Sequence, residues 1–206
     1  TKNYQAALSL CEAKIRENPK DPAAYDLAGR VYAVQKDVKG AEDSFGKAIS
    51  LQPSWPVPYT NLARLYVAQG RTAEAIQRFE KAAKADPANV APRLALAQVY
   101  GQSGEYAKAI PLYEKVLNEK PNLWVAVNDL AYLLSEYGTS KKDLDRALKL
   151  AMQARKQRGD DPAVLDTLGW ITFKKGDTDS ALAFAKNAYA KNPKSPVVNY
   201  HLGMIY

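Results

Sequence analysis

The feature that most constrains the fold is a residue pattern that returns every 34 positions. Four evenly spaced prolines mark it, Pro19, Pro53, Pro87 and Pro121, and it resumes with Gly159 and Pro193. A chain that repeats at this period is a stack of one supersecondary unit, and no unit buries its apolar face without a neighbour. We therefore expect one continuous core, built unit by unit along the chain. Stacks of this kind usually bind other proteins.

Each interval between these prolines contains two runs with helical spacing, separated by a short turn signal. In one such first run, Tyr59, Leu62, Ala63 and Tyr66 share a helical face. The turn signals are Asp37, Gly70-Arg71, Gly104-Glu105, Gly138-Thr139 and Gly176-Asp177. Every unit is therefore predicted to be a hairpin of two antiparallel helices, called here its first and its second helix, and the chain to be all-α.

Small residues recur at one position in each kind of helix. The middle of the first helix carries Gly29, Ala63, Ala97, Ala131, Gly169 and Gly203. The early part of the second helix carries Ala7, Ala41, Ala75, Ala109, Ala147 and Ala181. Two helices approach closely only where the crossing side chains are tiny, and overpacking such a contact typically costs about 1–3 kcal/mol. These two rows therefore predict where the helices of each hairpin cross.

One unit carries Leu62-Ala63-x-x-Tyr66, Gly70, Ala75, Phe79, Ala82 and Pro87, and the next repeats it with Leu96-Ala97-x-x-Tyr100, Gly104-x-Tyr106, Ala109, Tyr113 and Pro121. This pattern resembles the tetratricopeptide repeat. The resemblance implies a single array over 1–206, a right-handed superhelical solenoid of antiparallel helix pairs. In its register, 1–19 is the second helix of a partial repeat, 22–55, 56–89, 90–123, 124–161 and 162–195 are full repeats, and 196–206 is the first helix of another partial repeat.

The fourth full repeat is longer than the others. Ala131 and Ala147 are separated by 16 positions, whereas Ala97 and Ala109 are separated by 12. We therefore expect four extra residues in or beside the turn at 136–143, as an insertion in the loop. Loops that protrude from such arrays often carry contacts, so a functional loop is the alternative.

The resemblance also implies that the first helices line a concave groove that binds a peptide or a partner domain. The predicted groove residues are Asp26, Arg30, Asn61, Arg64, Gln98, Asn128, Tyr132, Asp166, Trp170 and Phe173. Family members that bind chaperones hold a peptide carboxylate with lysines and asparagines on this face. That clamp is not reproduced here, because the matching positions carry Asp26, Arg30, Thr60, Asn61 and Arg64.

Individual groove residues suggest individual contacts. Arg30 and Arg64 stand one repeat apart and are placed to bracket an acidic side chain or a terminal carboxylate. Asn61 and Asn128 are suited to hydrogen bonds with an extended peptide backbone, while Trp170 with Phe173 supplies an apolar anchor. The alternative is that the polar residues are only solvated. For Trp170, the alternative is packing between the last full repeat and the partial repeat that follows it.

The residues that would support catalysis are few. Cys11 and His201 are the only cysteine and the only histidine, so neither a structural zinc site nor a Cys-His nucleophile pair can form. Asp160 and Asp161 precede Pro162 at a repeat boundary, where a helix cap is expected instead of acid–base chemistry. We therefore expect no catalytic residue, no metal and no cofactor, and a protein that is not an enzyme.

Other partner classes are weighed by charge and hydropathy. The net charge of +7 permits an acidic partner, but Asp26, Asp129 and Asp166 are mixed with the arginines of the groove, so nucleic acid is not expected. No apolar run reaches the roughly 18 residues that suggest a membrane span. Two alternatives stay open: a targeting arm for a catalytic domain outside this sequence, and a helical repeat that binds RNA or an anionic glycan.

A narrower resemblance concerns the second half of the chain. Asn128-Asp-Leu-Ala-Tyr-Leu-Leu, Asp145-Arg-Ala-Leu-Lys-Leu-Ala and Val164-Leu-Asp-Thr-Leu-Gly-Trp170 are similar to tetratricopeptide arrays of bacterial envelope proteins linked to exopolysaccharide synthesis and export. This similarity favours a periplasmic or envelope-associated location over a cytoplasmic one. The partial repeats at both ends leave apolar residues without a neighbour, from which we expect self-association or disordered termini.

Overall fold

The computed structural model describes residues 2–206; Thr1, where the first partial repeat was assigned to begin, lies outside them. Within 2–206 the chain forms twelve α-helices and no strand, which confirms the all-α prediction. They are α1 (Lys2–Glu17), α2 (Pro22–Val34), α3 (Val38–Leu51), α4 (Pro56–Ala68), α5 (Thr72–Ala85), α6 (Val90–Gln102), α7 (Tyr106–Glu119), α8 (Trp124–Tyr137), α9 (Lys141–Arg158), α10 (Pro162–Lys174), α11 (Thr178–Lys191) and α12 (Pro196–Ile205).

The chain divides into two compact units, the first ending at Leu112 and the second beginning at Tyr113. In the first unit α2 packs on α1, α3 and α4, and α4 packs on α3, α5 and α6. In the second unit α10 packs on α8, α9, α11 and α12. Each central first helix therefore contacts the second helices on both sides and the neighbouring first helices, which is the packing of a helical repeat. The repeat boundaries assigned from the sequence stay a prediction.

Helix starts are set by short polar side chains. The carboxylate of Asp161 accepts a hydrogen bond from the backbone N–H of Ala163 at 2.9 Å, so Asp161 caps α10 as predicted. Asp21 and Asn89 cap α2 and α6 in the same way. These caps satisfy amide donors that the first turn of a helix leaves without partners.

Four first helices end in the same left-handed turn. Its central residue is Gly70, Gly104 or Gly176, with φ of 70°, 80° and 90°, and in α2 it is Lys36, with φ of 64°. At Gly70 the turn closes with two backbone hydrogen bonds, from Gly70 to the Val67 carbonyl at 3.0 Å and from Arg71 to the Tyr66 carbonyl at 2.9 Å. This pair of bonds defines the Schellman motif, which favours glycine because a Cβ strains the left-handed conformation.

The small residues lie where the helices of a hairpin cross. A Cβ added to Gly29 would stand 2.6 Å from Cε1 of Phe45 on α3, closer than packed carbon atoms approach. At Gly169 it would stand 3.2 Å from the carbonyl oxygen of Ala181 on α11. Ala63, Ala97 and Ala131 are fully buried. These positions confirm the close crossing that the sequence pattern predicts.

The four extra residues of the fourth repeat are helical, so the expected loop insertion is wrong. The connection from α8 to α9 has three residues, 138–140, the same number as the connection from α4 to α5 at 69–71. From the small residue of the first helix to its end there are six positions in α8 and five in α4, and α9 begins six positions before Ala147, whereas α5 begins three before Ala75. The insertion thus adds one residue to α8 and three to α9.

Local capping explains why α9 begins early. The Ser140 hydroxyl accepts a hydrogen bond from the backbone N–H of Asp143 at 3.3 Å, and the Asp143 carboxylate accepts one from the backbone N–H of Ser140 at 3.0 Å. This reciprocal capping box starts a helix one turn ahead of the hairpin crossing. The Ser140 bonds also lower the pKa of Asp143, because they favour its charged form.

Candidate partner-binding surface

The predicted groove residues of the first unit include one hydrogen-bonded pair. The Asn61 side-chain amide on α4 donates to Oδ1 of Asp26 on α2 at 2.8 Å, across 35 positions of sequence. Asp26 is 4% exposed, and this burial raises the pKa of its carboxyl. The bond from Asn61 and the charge of Arg30 act in the opposite direction and lower it. The pair ties two neighbouring first helices together.

The remaining predicted residues of the first unit are spread over different environments. Arg30 and Arg64 are exposed, on α2 and α4 respectively. Gln98 is buried, on a stretch of α6 in which every residue from 90 to 100 is buried. Only the two arginines are therefore freely accessible to a partner from solvent.

The second unit repeats the pairing of the first with different residues. Nδ1 of His201 on α12 lies 2.9 Å from Oδ2 of Asp166 on α10, again across 35 positions. Both residues are buried, with His201 2% and Asp166 6% exposed. Asp26 and Asp166 are each the fifth residue of a first helix, so they occupy equivalent places in the two units.

Trp170 lies at the centre of an aromatic cluster. Its ring stacks on the His201 ring, with centroids 4.3 Å apart and planes at 16°. The rings of Phe173 and Tyr200 lie 5.7 and 6.3 Å from it, and Tyr132 of α8 lies 6.0 Å from His201. Trp170 is 6% exposed, whereas Tyr200 is 60% exposed. Trp170 therefore packs between α10 and α12, as the alternative interpretation expected, and Tyr200 forms the accessible edge of the cluster.

The indole N–H of Trp170 is hydrogen-bonded to a carboxylate that also forms a salt bridge. The indole Nε1 donates to Oε1 of Glu136 at 2.5 Å, and Nζ of Lys174 lies at the same distance from that oxygen. Lys174 also donates to the backbone carbonyl of Ser135 at 2.8 Å. Neither Glu136 nor Lys174 was among the groove residues predicted from the sequence. Glu136 was assigned to a turn; the available signal was the opposite charge of Glu136 and Lys174, each the thirteenth residue of its first helix.

Two buried acceptors on this surface have no hydrogen-bond partner among the described residues. They are Oδ1 of Asn128 on α8 and Oδ1 of Asp166 on α10. Asn128 is 6% exposed and, like Asp166, is the fifth residue of its helix. Buried polar atoms are nearly always paired in native proteins, and an unpaired one costs about 1–3 kcal/mol. The two oxygens are therefore suited to accept hydrogen bonds from a ligand.

These groups form one surface, called here the second-unit surface. It comprises the faces of α8, α10 and α12 that carry Asn128, Tyr132, Asp166, Trp170, Phe173 and Tyr200. Residues four apart share a helical face, which aligns Asn128 with Tyr132 and Asp166 with Trp170. Within residues 2–206, none of the helices combines the length and the apolar composition needed to cross a bilayer.

Comparison with known proteins identifies the repeat. The model of the tetratricopeptide repeat matches residues 66–122. A TPR repeat-containing protein of Pseudomonas aeruginosa is 33% identical over 88 residues, which are 43% of this chain and only 14% of that protein. The chain thus spans a small part of this relative.

Two solved structures have the same fold. The APC/C hetero-tetramer Cut9–Hcn1 aligns with a TM-score of 0.70 at 16% identity, over 98% of this chain and 40% of that one. YrrB, a TPR protein with an unusual peptide-binding site, aligns with a TM-score of 0.54 at 21% identity, over 92% of this chain and 96% of that one. Together with the helix pairs described above, these matches show that residues 66–122 carry a tetratricopeptide repeat and that the chain has the all-α repeat fold of such proteins.

Proposed function

We propose that this chain is a non-catalytic protein-interaction module whose second-unit surface binds an extended peptide segment of a partner. The observation that carries the proposal is the pair of buried acceptors, Asn128 Oδ1 and Asp166 Oδ1, which have no hydrogen-bond partner among the described residues. A bound segment with N–H donors removes the cost of leaving them unpaired. The repeat architecture supports the proposal, because arrays of helix pairs present extended binding surfaces.

The spacing of the acceptors suits an extended chain. Asn128 and Asp166 hold equivalent positions on α8 and α10, which pack against each other. Packed helix axes are about 8–10 Å apart, and an extended chain advances about 3.3 Å per residue. Donors two or three residues apart in a peptide therefore match the two oxygens. YrrB, a protein of the same fold, also has a peptide-binding site.

The test is a screen against an immobilised array of random-sequence peptides, followed by affinity measurements with the best binder. Asn128→Ala should weaken the binding of that peptide about 5- to 30-fold, which corresponds to a loss of about one or two kcal/mol of binding free energy. Asn118→Ala, at an exposed position of α7, is the matched control and should bind normally. Failure to select any peptide, or full affinity in Asn128→Ala, would refute the proposal.

The wider setting that we propose is a bacterial assembly of the envelope, such as a polysaccharide-export complex. It rests on the resemblance of the second half of the chain to envelope arrays. The alternative is that the chain is a targeting arm for a catalytic domain of a longer protein. Fractionation of cells that express the full-length protein tests the location, and the full-length sequence tests the alternative.

Binding of RNA or an anionic glycan is the less favoured candidate. On α8, α10 and α12 the carboxylates of Asp129, Glu136 and Asp166 stand against a single ammonium, that of Lys174. Such a surface repels a polyanion. A binding constant for RNA that falls steeply with salt, and that Asn128→Ala reduces, would reverse this choice.

We also propose that the 206-residue polypeptide associates with itself through its terminal helices. Tyr4 and Leu10 on α1 are 42% and 57% exposed, and Val197 and Met204 on α12 are 51% and 50% exposed. Apolar side chains at such exposure favour association. Light scattering over a concentration series should show a mass that rises above 22.7 kDa, and a constant monomer mass would contradict it.

A further inference from the structure

We propose that the carboxylate of Asp166 binds a cationic side chain of the partner segment, an arginine guanidinium or a lysine ammonium. This inference rests on the proposed function, since it names the chemistry of the peptide that the second-unit surface takes. It is carried by four observations: the equivalent carboxylate of the first unit, the charge of the first helices, the unpartnered oxygen and the aromatic groups beside it.

The first unit shows what accompanies a carboxylate at this position. Asp26 is the fifth residue of α2, and Arg30, one turn further along, places a positive charge close enough to act on it. In α10 the fifth residue is again an aspartate, Asp166, but the residue one turn further along is Trp170. The second unit therefore keeps the buried carboxylate and has an aromatic ring where the first unit has its own cation.

No other lysine or arginine of the second-unit surface takes that place, and His201, which contacts Asp166, carries a charge only when protonated. Lys174 is the only lysine or arginine on α8, α10 and α12, and it is bound to Glu136 and to the Ser135 carbonyl. With Asp129 and Asp166 included, these three helices carry a net charge of −2, counting His201 as neutral, while the whole chain carries +7. A locally negative surface on a basic protein is complementary to a basic segment.

The carboxylate of Asp166 has an oxygen left for such a partner. His201 contacts Oδ2, whereas Oδ1 is buried with no hydrogen-bond partner among the residues described. A buried carboxylate oxygen is stabilised most by a charged donor, whose hydrogen bonds are about twice as strong as neutral ones. A cation from the partner satisfies the oxygen and supplies the positive charge together.

Aromatic side chains surround the His201 ring that contacts Asp166. Tyr200 precedes His201 on α12, and its ring lies 5.8 Å from the His201 ring. Tyr200 is 60% exposed, so its ring is accessible to a cationic side chain from solvent. Tyr132 lies on the α8 side, 6.0 Å from His201. Aromatic faces attract cations, and a planar guanidinium can stack on a ring while it binds a carboxylate, so arginine fits better than lysine.

The experiment uses the peptide array with the wild-type chain, with Asp166→Asn and with Asp160→Asn. Asp160 is a control for net charge, because its side chain is 96% exposed and lies off the second-unit surface. We expect wild type and Asp160→Asn to select peptides with an arginine or a lysine at a fixed position. Asp166→Asn should lose that selection and bind the same peptides roughly tenfold or more weakly.

A change in the peptide keeps the test independent of the stability of the variant. Replacing the selected arginine by citrulline preserves its shape and removes its charge; for a selected lysine, norleucine serves the same purpose. This replacement should weaken binding to wild type roughly tenfold and have little further effect on Asp166→Asn, and raising the salt should weaken only the charged peptide.

The possible failures are distinguishable. If no peptide is selected, both the proposed function and this inference are refuted. If peptides are selected without a basic residue, or if citrulline or norleucine binds wild type as well as the charged residue does, the inference about Asp166 is wrong while peptide binding stands. A basic preference that persists in Asp166→Asn would place the cation elsewhere and overturn the assignment.

Discussion

Lys36 is the only non-glycine residue in the described part of the chain with a positive φ. It closes the same turn as Gly70, Gly104 and Gly176, and its left-handed conformation costs about 1–2 kcal/mol that glycine does not incur. Lys36→Gly should therefore raise the free energy of unfolding in urea by about 1 kcal/mol, after the greater flexibility of glycine in the unfolded chain is subtracted.

The neighbouring position provides the control for Lys36. Gln35 has φ of −75°, which any residue adopts, so Gln35→Gly should lower stability slightly. A loss of stability in Lys36→Gly would contradict the argument. The turn itself was predictable, but the residue that signalled it in the sequence was Asp37. Lysine has no intrinsic preference for the left-handed region. The conformation of Lys36 could be inferred only from its position in the repeat, which is the one that the three glycines occupy.

Asp26 gives a prediction about pH. Burial raises the pKa of its carboxyl, so the folded chain binds this proton more readily than the unfolded chain. Its contribution to stability is then greatest below the unfolded pKa of about 3.9, and it is lost as the pH rises through the raised value. Asp26→Asn, which can still accept from Asn61, should be more stable than wild type at pH 7, with a difference that shrinks as the pH falls.

The measurement for Asp26 is urea unfolding of both proteins over a series of pH values from neutral to about 4. Asp177→Asn is a control of opposite sign. Its bonds to Ser180 lower the pKa of Asp177, so that variant should be less stable than wild type at pH 7. A stability difference for Asp26→Asn that stays constant or changes sign over this range would refute the role assigned to burial.

Among the helices, the lengthened repeat is the one whose structure the sequence predicted incompletely. The spacing from Ala131 to Ala147 revealed four extra residues but not the conformation they adopt. Their helical state depends on the reciprocal caps of Ser140 and Asp143, a pattern that is visible in the sequence as Ser-x-x-Asp but competes with the turn signal at Gly138. Glycine marks a chain reversal without saying how much of its neighbourhood is helical.

Glycine is required at position 138 because a side chain would not fit there. Its backbone conformation is not the reason, because a φ of −63° is accessible to any residue. A Cβ there would overlap the Leu134 carbonyl oxygen and the Cβ of Asp143. Gly138→Ala should lower the free energy of unfolding by about 1–3 kcal/mol. Gly159→Ala, at the other end of α9, meets the Arg155 carbonyl oxygen at 3.1 Å and should have a smaller effect. Equal thermal stabilities of the two variants would contradict this.

For the whole molecule, the period of 34 residues and the two rows of small residues were enough to predict the all-α repeat. The candidate surface was less predictable. Helical spacing placed Asp166 and Trp170 on one face, but the stacking of Trp170 on His201 depends on how α10 and α12 pack. The division after Leu112 leaves no trace in the period, because every repeat meets only its neighbours.

Because each repeat packs only on its neighbours, a destabilising substitution should affect only the helices near it. Gly29→Ala forces a Cβ against Phe45 and should weaken the pairing of α2 with α3 by about 1–3 kcal/mol. In a repeat array such a loss stays local, so amide hydrogen exchange should accelerate roughly tenfold or more in α2 and α3 and remain unchanged in α10 and α11. Gly203→Ala is the control, since the added Cβ meets no described atom within 4 Å apart from those of its own helical turn. An equal acceleration in all helices of Gly29→Ala would mean that the chain unfolds as a single cooperative unit, against the local stability that its repeats imply.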